Sequence, residues 1–302
     1  MPSARHDYVV VPWRSGSQVV GNLPQLGEMS GVRYTRGMQQ DVSMDAKGRI
    51  KVVMGLLLCA ALSAMLMACS APAEREDGAV AQDRLLQATQ ALFQTPATGA
   101  GWEVFRLPGK TFAPFEPVAA GRPALRVQAD RSVSVLRQRF GQPLQTAGTL
   151  AFSWKVDGLP DGADLKDAGA TDAPVRILLA FDGDRSRWNP RAHRMSELSQ
   201  LLTGEPLPYA TLSYVWSRDD ALETVLHNPR TDRIRKLVVE SGATNLGQWR
   251  EYRRDVRADF LRAFGEEPGP LVAVALMTDT DNTASTLQAW YGPMRLEPGL
   301  AR

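Results

Sequence analysis

Between residues 102 and 296, apolar side chains recur at every second position in run after run. A chain patterned this way buries its apolar residues only by laying strands against a second layer. Leu150, Phe152, Trp154 and Val156 alternate with Ala151, Ser153 and Lys155, and Val175, Ile177, Leu179 and Phe181 repeat the pattern. Leu125, Val127 and Ala129 alternate with Arg126 and Gln128. Further strands are expected over residues 102–107, 209–216, 233–239, 249–256, 271–277 and 287–296. Breaker clusters such as Gly158-Leu159-Pro160-Asp161-Gly162 and Glu267-Pro268-Gly269-Pro270 separate the runs. Helical spacing is confined to residues 81–94, 192–202 and 256–264, the last with Asp255 as N-cap and Gly265 at its stop. The fold class is therefore all-β: a two-sheet β-sandwich of jelly-roll type with two or three short helices.

The N-terminal part follows a different logic. Residues 44–51 include Lys47, Arg49 and Lys51, residues 52–68 are almost wholly apolar, and the run closes on Leu66-Met67-Ala68-Cys69. A basic segment, an apolar segment and a small residue before a cut make a secretory signal. The Leu-x-Ala-Cys ending resembles a bacterial lipobox, which implies lipidation of Cys69. An uncleaved membrane anchor and an ordinary secretory signal are the alternatives, although 52–68 is at the short limit for spanning a bilayer. Residues 1–43 read as a spurious or disordered extension, with Met44 or Met38 as the initiator, residues 44–68 as the lipoprotein signal peptide, 69–80 as a tether, and 81–302 as a single β-sandwich domain. Ser70 after the cysteine, by resemblance to diderm lipoproteins, implies an outer-membrane position facing the periplasm.

Composition excludes several classes of function. Cys59 and Cys69 are the only cysteines, so the domain has neither a disulfide scaffold nor a cysteine–zinc site. Residues 70–302 hold 28 basic and 29 acidic residues, which gives no electrostatic case for a nucleic-acid partner. His193 and His227 belong to no H-E-x-x-H motif, and neither a G-x-S-x-G elbow nor a phosphate-binding glycine loop is present.

What chemistry remains is concentrated in a few places. Thr278-Asp279-Thr280-Asp281-Asn282-Thr283 follows an apolar strand. Oxygen ligands at that density suit calcium, with Asp279 and Asp281 as ligands, yet the glycine and glutamate of an EF-hand loop are missing. A turn held by Asx hydrogen bonds and a grip on sugar hydroxyls are the other readings. Asp182 and Asp184 make a second acidic strand end, expected at the same rim if the two converge. Trp290-Tyr291 places one ring on each face of its strand, so one of the two is expected at the surface, free to stack. Arg176 points away from the apolar side of its own strand.

The blocks Pro208-Tyr209-Ala210-Thr211-Leu212-Ser213-Tyr214-Val215-Trp216, Arg230-Thr231-Asp232-Arg233-Ile234, Met277-Thr278-Asp279-Thr280-Asp281-Asn282-Thr283 and Ala289-Trp290-Tyr291-Gly292 together resemble a bacterial envelope family known as domain of unknown function 3047. The resemblance runs from about residue 102 to 296 and brings no activity with it. A looser resemblance, at the level of fold, is to jelly-roll carbohydrate-binding modules. The expectation is a membrane-anchored, non-catalytic envelope lipoprotein whose sandwich binds a glycan or another envelope component. Arg176, Asp279, Asp281, Asn282, Trp290 and Tyr291 are the expected contacts, and a structural calcium is the one cofactor entertained. The alternatives are a polysaccharide hydrolase using two carboxylates and an assembly lipoprotein with protein partners only.

Overall fold

A computed structural model of the protein describes residues 78–96 and 101–299. The extension, the signal peptide and Cys69 lie outside the described residues.

Two sheets face one another. The six-stranded sheet holds β1 (Phe93–Gln94), β3 (Phe115–Ala119), β4 (Pro123–Asp130), β6 (Ala147–Val156), β11 (Arg250–Asp255) and β13 (Thr286–Pro298). Its order is β11-β6-β13-β4-β3, with β1 beside β13. The seven-stranded sheet holds β2 (Trp102–Phe105), β5 (Val133–Leu144), β7 (Ala173–Phe181), β8 (Ala210–Ser217), β9 (Val225–His227), β10 (Ile234–Ser241) and β12 (Leu271–Asp279). Its order is β2-β5-β12-β7-β8-β10-β9. Pairings are antiparallel except β1 with β13 and β8 with β10. The chain passes between sheets from β4 to β5 and from β12 to β13, as a jelly-roll sandwich requires.

The alternating residues meet between the layers. Leu150, Trp154, Val156, Val175, Leu179, Phe181, Tyr214, Trp216 and Tyr291 are all buried there. Phe152 stacks on Tyr214 with ring centroids 5.7 Å apart and on Tyr252 at 5.1 Å. Helix α1 (Gly78–Leu92) packs Leu85, Ala88 and Leu92 on this core. Helix α3 (Val256–Phe264) starts as expected, with Asp255 Oδ1 accepting from Ala258 N at 2.9 Å, and stops at Gly265 in the left-handed region. It brings the buried Asp259 to the Tyr214 hydroxyl at 2.9 Å, and Arg254 donates to both carboxylate oxygens. Helix α2 (Pro190–Thr203) keeps its leucines out of the core. Its buried residues are Ala192 and Ser196, whereas Leu198, Leu201 and Leu202 stay exposed. Its N-cap Asn189 and the covering Trp188 hold only its first turns against the domain. Among the described residues no helix is long and apolar enough to cross a membrane.

Candidate functional site

Two polar assemblies stand out, one on each sheet. The first closes an end of the seven-stranded sheet. Asp279, the last residue of β12, lies opposite Val133 on β5 and Ala173 on β7. Asp172 immediately precedes Ala173, so adjacent strand ends bring the two carboxylates together. The turn after β12, closed by Ser285 N donating to Thr280 O at 3.1 Å, returns Asp281, Asn282 and Thr283 to the same place. Asp172 accepts from Asn282 Nδ2, Thr283 N and Thr283 Oγ1, each at 2.8 Å. Burial works to raise Asp172, but these hydrogen bonds outweigh it and hold the carboxyl below its usual range. One oxygen from each of Asp172, Asp279 and Asp281 lies within 4.8 Å of the others. At an effective dielectric of ~20, two charges at that separation repel by about 3 kcal/mol.

Cations answer part of this charge. Arg176 Nη2 donates to Asp279 Oδ2 at 3.1 Å and also to Thr171 O, and Lys110 ion-pairs with Asp281. Asp279 is nonetheless pushed up to about 7: burial raises it, Arg176 opposes, and Asp172 and Asp281 add to the rise. Lys236 is buried on β10, where its ammonium donates to Leu165 O. Burial pulls it down to about 7, and Arg176 adds to the fall.

Four of the expected contact residues therefore gather at one place: Arg176, Asp279, Asp281 and Asn282. Their setting differs from the expectation. Arg176 and Asp279 are buried and ion-paired, and the half-buried Asn282 is engaged with Asp172, so the two buried members of this group lie out of a sugar's reach. Tyr291 is a core residue, 1% exposed, whose hydroxyl donates to Met277 O at 2.7 Å; alternation turned its neighbour Trp290 outward instead. Asp182 and Asp184 do not join. They follow Phe181, which pairs with Leu271 at the other end of β12, roughly 25 Å away at ~3.3 Å per residue. There Asp182 pairs with Arg185 and Asp184 caps the short 3-10 turn Arg185–Arg187. Sequence reasoning did not single out Asp172, whose one signal is its position just before an apolar strand.

The second assembly lies on the outer face of the six-stranded sheet, where Trp290 sits. Register puts Trp290 beside Lys155 on β6 and Arg126 on β4, with Glu116 on β3 beyond. Trp249, one residue before β11, falls in line with Lys155 on the far side. Trp249, Lys155, Trp290, Arg126 and Glu116 thus form one row across the sheet. Lys155 Nζ lies 4.2 Å from the Trp290 ring centroid and 5.6 Å from that of Trp249. Among the described residues Lys155 has no carboxylate partner. Arg126 is paired with Glu116 and Arg122 with Glu251, each at 2.6 Å.

Trp249 lies along the sheet rather than standing away from it. Its Nε1 donates to Ala120 O at 2.9 Å in the β3–β4 turn. Its benzo edge passes 3.0 Å from where a Cβ on Gly292 would be. The absent side chain at Gly292 and the small Ser153 leave the floor on which the indole rests. Beside it opens a cavity of about 390 Å³, lined by Arg122, Ala151, Ser153, Glu251, Pro293 and Arg295 among others. Ser153 is 6% exposed, and its hydroxyl has no partner among the described residues. A buried hydroxyl left this way costs about 1–3 kcal/mol until something bonds it. A half-buried indole, an unpaired ammonium and an open cavity lined by the Arg122–Glu251 pair can together hold a ring that is apolar on its face and polar at its rim.

The profile of the family described as "Protein of unknown function (DUF3047)" matches residues 100–295, from the approach to β2 into β13. The chain belongs to the DUF3047 family. The match spans the residues of both assemblies. No curated protein matches the chain. Among solved structures, the xyloglucanase domain of NopAA, a type three effector from Sinorhizobium fredii, is similar at 8% identity and a TM-score of 0.33, covering 68% of this chain and 92% of that one. A family 29 carbohydrate-binding module is similar at 10% identity and a TM-score of 0.29, covering 68% and 84%. A family 12 xyloglucanase from Bacillus licheniformis is similar at 4% identity and a TM-score of 0.35, covering 68% and 90%.

Proposed function

We propose that this protein is a non-catalytic, lipid-anchored envelope protein that holds an acidic glycan on the outer face of its six-stranded sheet. The observation that carries this reading is Lys155, an ammonium with no carboxylate partner set between Trp249 and Trp290. Indole faces stack on the C–H faces of sugar rings, and the two tryptophans start two strands apart, roughly 10 Å. A carboxylate, sulfate or phosphate on the glycan answers the ammonium. The Arg122–Glu251 pair offers bonds to ring hydroxyls in the adjoining cavity. Glu116 and Glu251 on this face are both engaged by arginines, which suits binding better than proton transfer to a leaving group.

Anchoring rests on the lipobox at Cys69. With two acyl chains on that cysteine the domain stays on a membrane, and the Ser70 rule favours the outer membrane facing the periplasm. An array of acidic and neutral glycans, probed with the full-length chain, tests the reading. Binding confined to acidic glycans is expected, and binding to none rejects it. In the same cells a labelled fatty acid is expected on the chain and absent from a Cys69→Ala variant.

A further inference from the structure

We infer that Asp172, Asp279 and Asp281 form a site for a hard divalent cation of calcium's kind, separate from the glycan face. Three carboxylates each place an oxygen within 4.8 Å of the others, the spacing of oxygens that share one ion. A second observation points the same way. Asp279 is 4% exposed, and while its Oδ2 accepts from Arg176, its Oδ1 is buried with no donor among the described residues. Native proteins rarely leave a buried carboxylate oxygen unanswered, and each such case calls for a missing partner. Arg176 reaches only Oδ2 of the pair, through the Nη2 that also serves Thr171 O, and its own Nε is likewise without a partner among the described residues.

The residues around the site fit a cation better than an anion or a sugar. Every ligand on offer is an oxygen, and no histidine or cysteine is in the group, which selects a hard ion over zinc or copper. Asp172 is fixed by three hydrogen bonds from Asn282 and Thr283, leaving it oriented before any ion arrives. The charged groups that face the site are Arg176 from β7, Lys110 from the 106–114 segment and, farther off, Lys236 from β10. Lys110 is the removable one. Its side chain is 40% exposed and sits on a surface segment held to β5 through Val133 N to Thr111 O at 2.9 Å and Ala113 N to Ser134 Oγ at 3.0 Å. The ammonium therefore occupies Asp281 when the ion is absent and swings into water when the ion binds. A bound ion joins β7, β12 and the turn after β12 at the point where the chain crosses from one sheet to the other.

Calcium titration calorimetry on the full-length chain, stripped with chelator and kept in detergent, tests the site. One ion per chain is expected, with a dissociation constant on the order of 10⁻⁴ M or tighter and a melting temperature that rises with calcium. Asp281→Asn is expected to weaken binding at least tenfold, and Lys110→Met, which removes the competing ammonium, to tighten it several-fold. Both positions reach the surface, so the variants keep the fold. Absence of saturable heat with an unchanged melting temperature overturns the site, and so does wild-type affinity in Asp281→Asn. Glycan binding by Trp249 and Trp290 is unaffected by either result.

Discussion

Replacing Arg176 by methionine is expected to remove about 3–5 kcal/mol of folding stability at pH 8, the range for breaking a buried ion pair from one side. Arg176 and Asp279 side chains are 8% and 6% exposed, so solvent does little to screen the loss. Methionine keeps much of the apolar stem but none of the charge, leaving Asp279 beside Asp172 and Asp281 with Lys110, paired to Asp281, and Lys236 as the cations that remain nearby. The effect depends on pH in a definite direction. The Asp279 carboxyl in the folded protein titrates above its unfolded value of 3.8, at about 7. A carboxyl raised in this way costs stability that grows as pH rises through that window and is complete above the folded pKa. Without Arg176 the folded pKa rises further and the cost at pH 8 grows. At pH 5 the group is already neutral in both proteins, so the difference shrinks. Urea unfolding of both proteins at pH 5 and pH 8, without added calcium, checks this. An equal loss at both pH values contradicts the charge account.

Gly292→Val is expected to abolish glycan binding while leaving the domain folded. The Gly292 backbone is not in the left-handed region, so valine meets no conformational penalty there. The obstacle is space: a Cβ at 292 collides with Ser153 Oγ and comes 3.0 Å from the Trp249 ring. The serine can rotate, but the indole is pinned at its far rim by Ala120 O. Valine lifts the ring from the sheet, breaks that hydrogen bond and fills the floor beside the cavity. Overpacking at this half-open position is worth about 1–3 kcal/mol of stability. Circular dichroism is expected to show a native spectrum, and binding to acidic glycan a loss of at least tenfold. Wild-type binding by Gly292→Val contradicts a platform built on Trp249.

Much of the sandwich was legible because one buried face imposes a period of two. The β6 and β7 patterns, with Leu150, Phe152, Trp154 and Val156 and with Val175, Ile177, Leu179 and Phe181 turned inward, follow from alternation alone. Strand β5 was not legible, although it has 12 residues. Its inner face carries Ser134 and Gln138 beside Leu136 and Phe140, while Val133 and Val135 on its outer face pack under Phe105, Leu107 and Met277. Both faces are partly covered and partly polar, so the period disappears. The 192–202 helix was legible from its spacing, but spacing alone did not show that Leu198, Leu201 and Leu202 stay exposed.

The sites divide along similar lines. Local density marked Asp279, Asp281 and Asn282, and nothing local linked them to Asp172, over a hundred residues earlier, because strand pairing alone makes that contact. Trp290 was legible through its alternation with Tyr291. Trp249 and Lys155 join it only through the order β11-β6-β13, a long-range property of the sheet. The convergence of Asp182 and Asp184 with the Asp279 end failed for the converse reason: antiparallel β7 and β12 place those strand ends apart.

The most direct test of the glycan face is a binding titration of one acidic polysaccharide into the wild-type chain, a Trp249→Ala/Trp290→Ala variant and Lys155→Ala, followed by calorimetry. Both indoles are half-buried on the outer face, so the variants are expected to melt within a few degrees of wild type. The wild type is expected to bind saturably, the double variant to show no measurable binding, and Lys155→Ala to lose about tenfold on the acidic polymer while treating its neutral counterpart as the wild type does. Equal binding by all three proteins contradicts the assignment of this face.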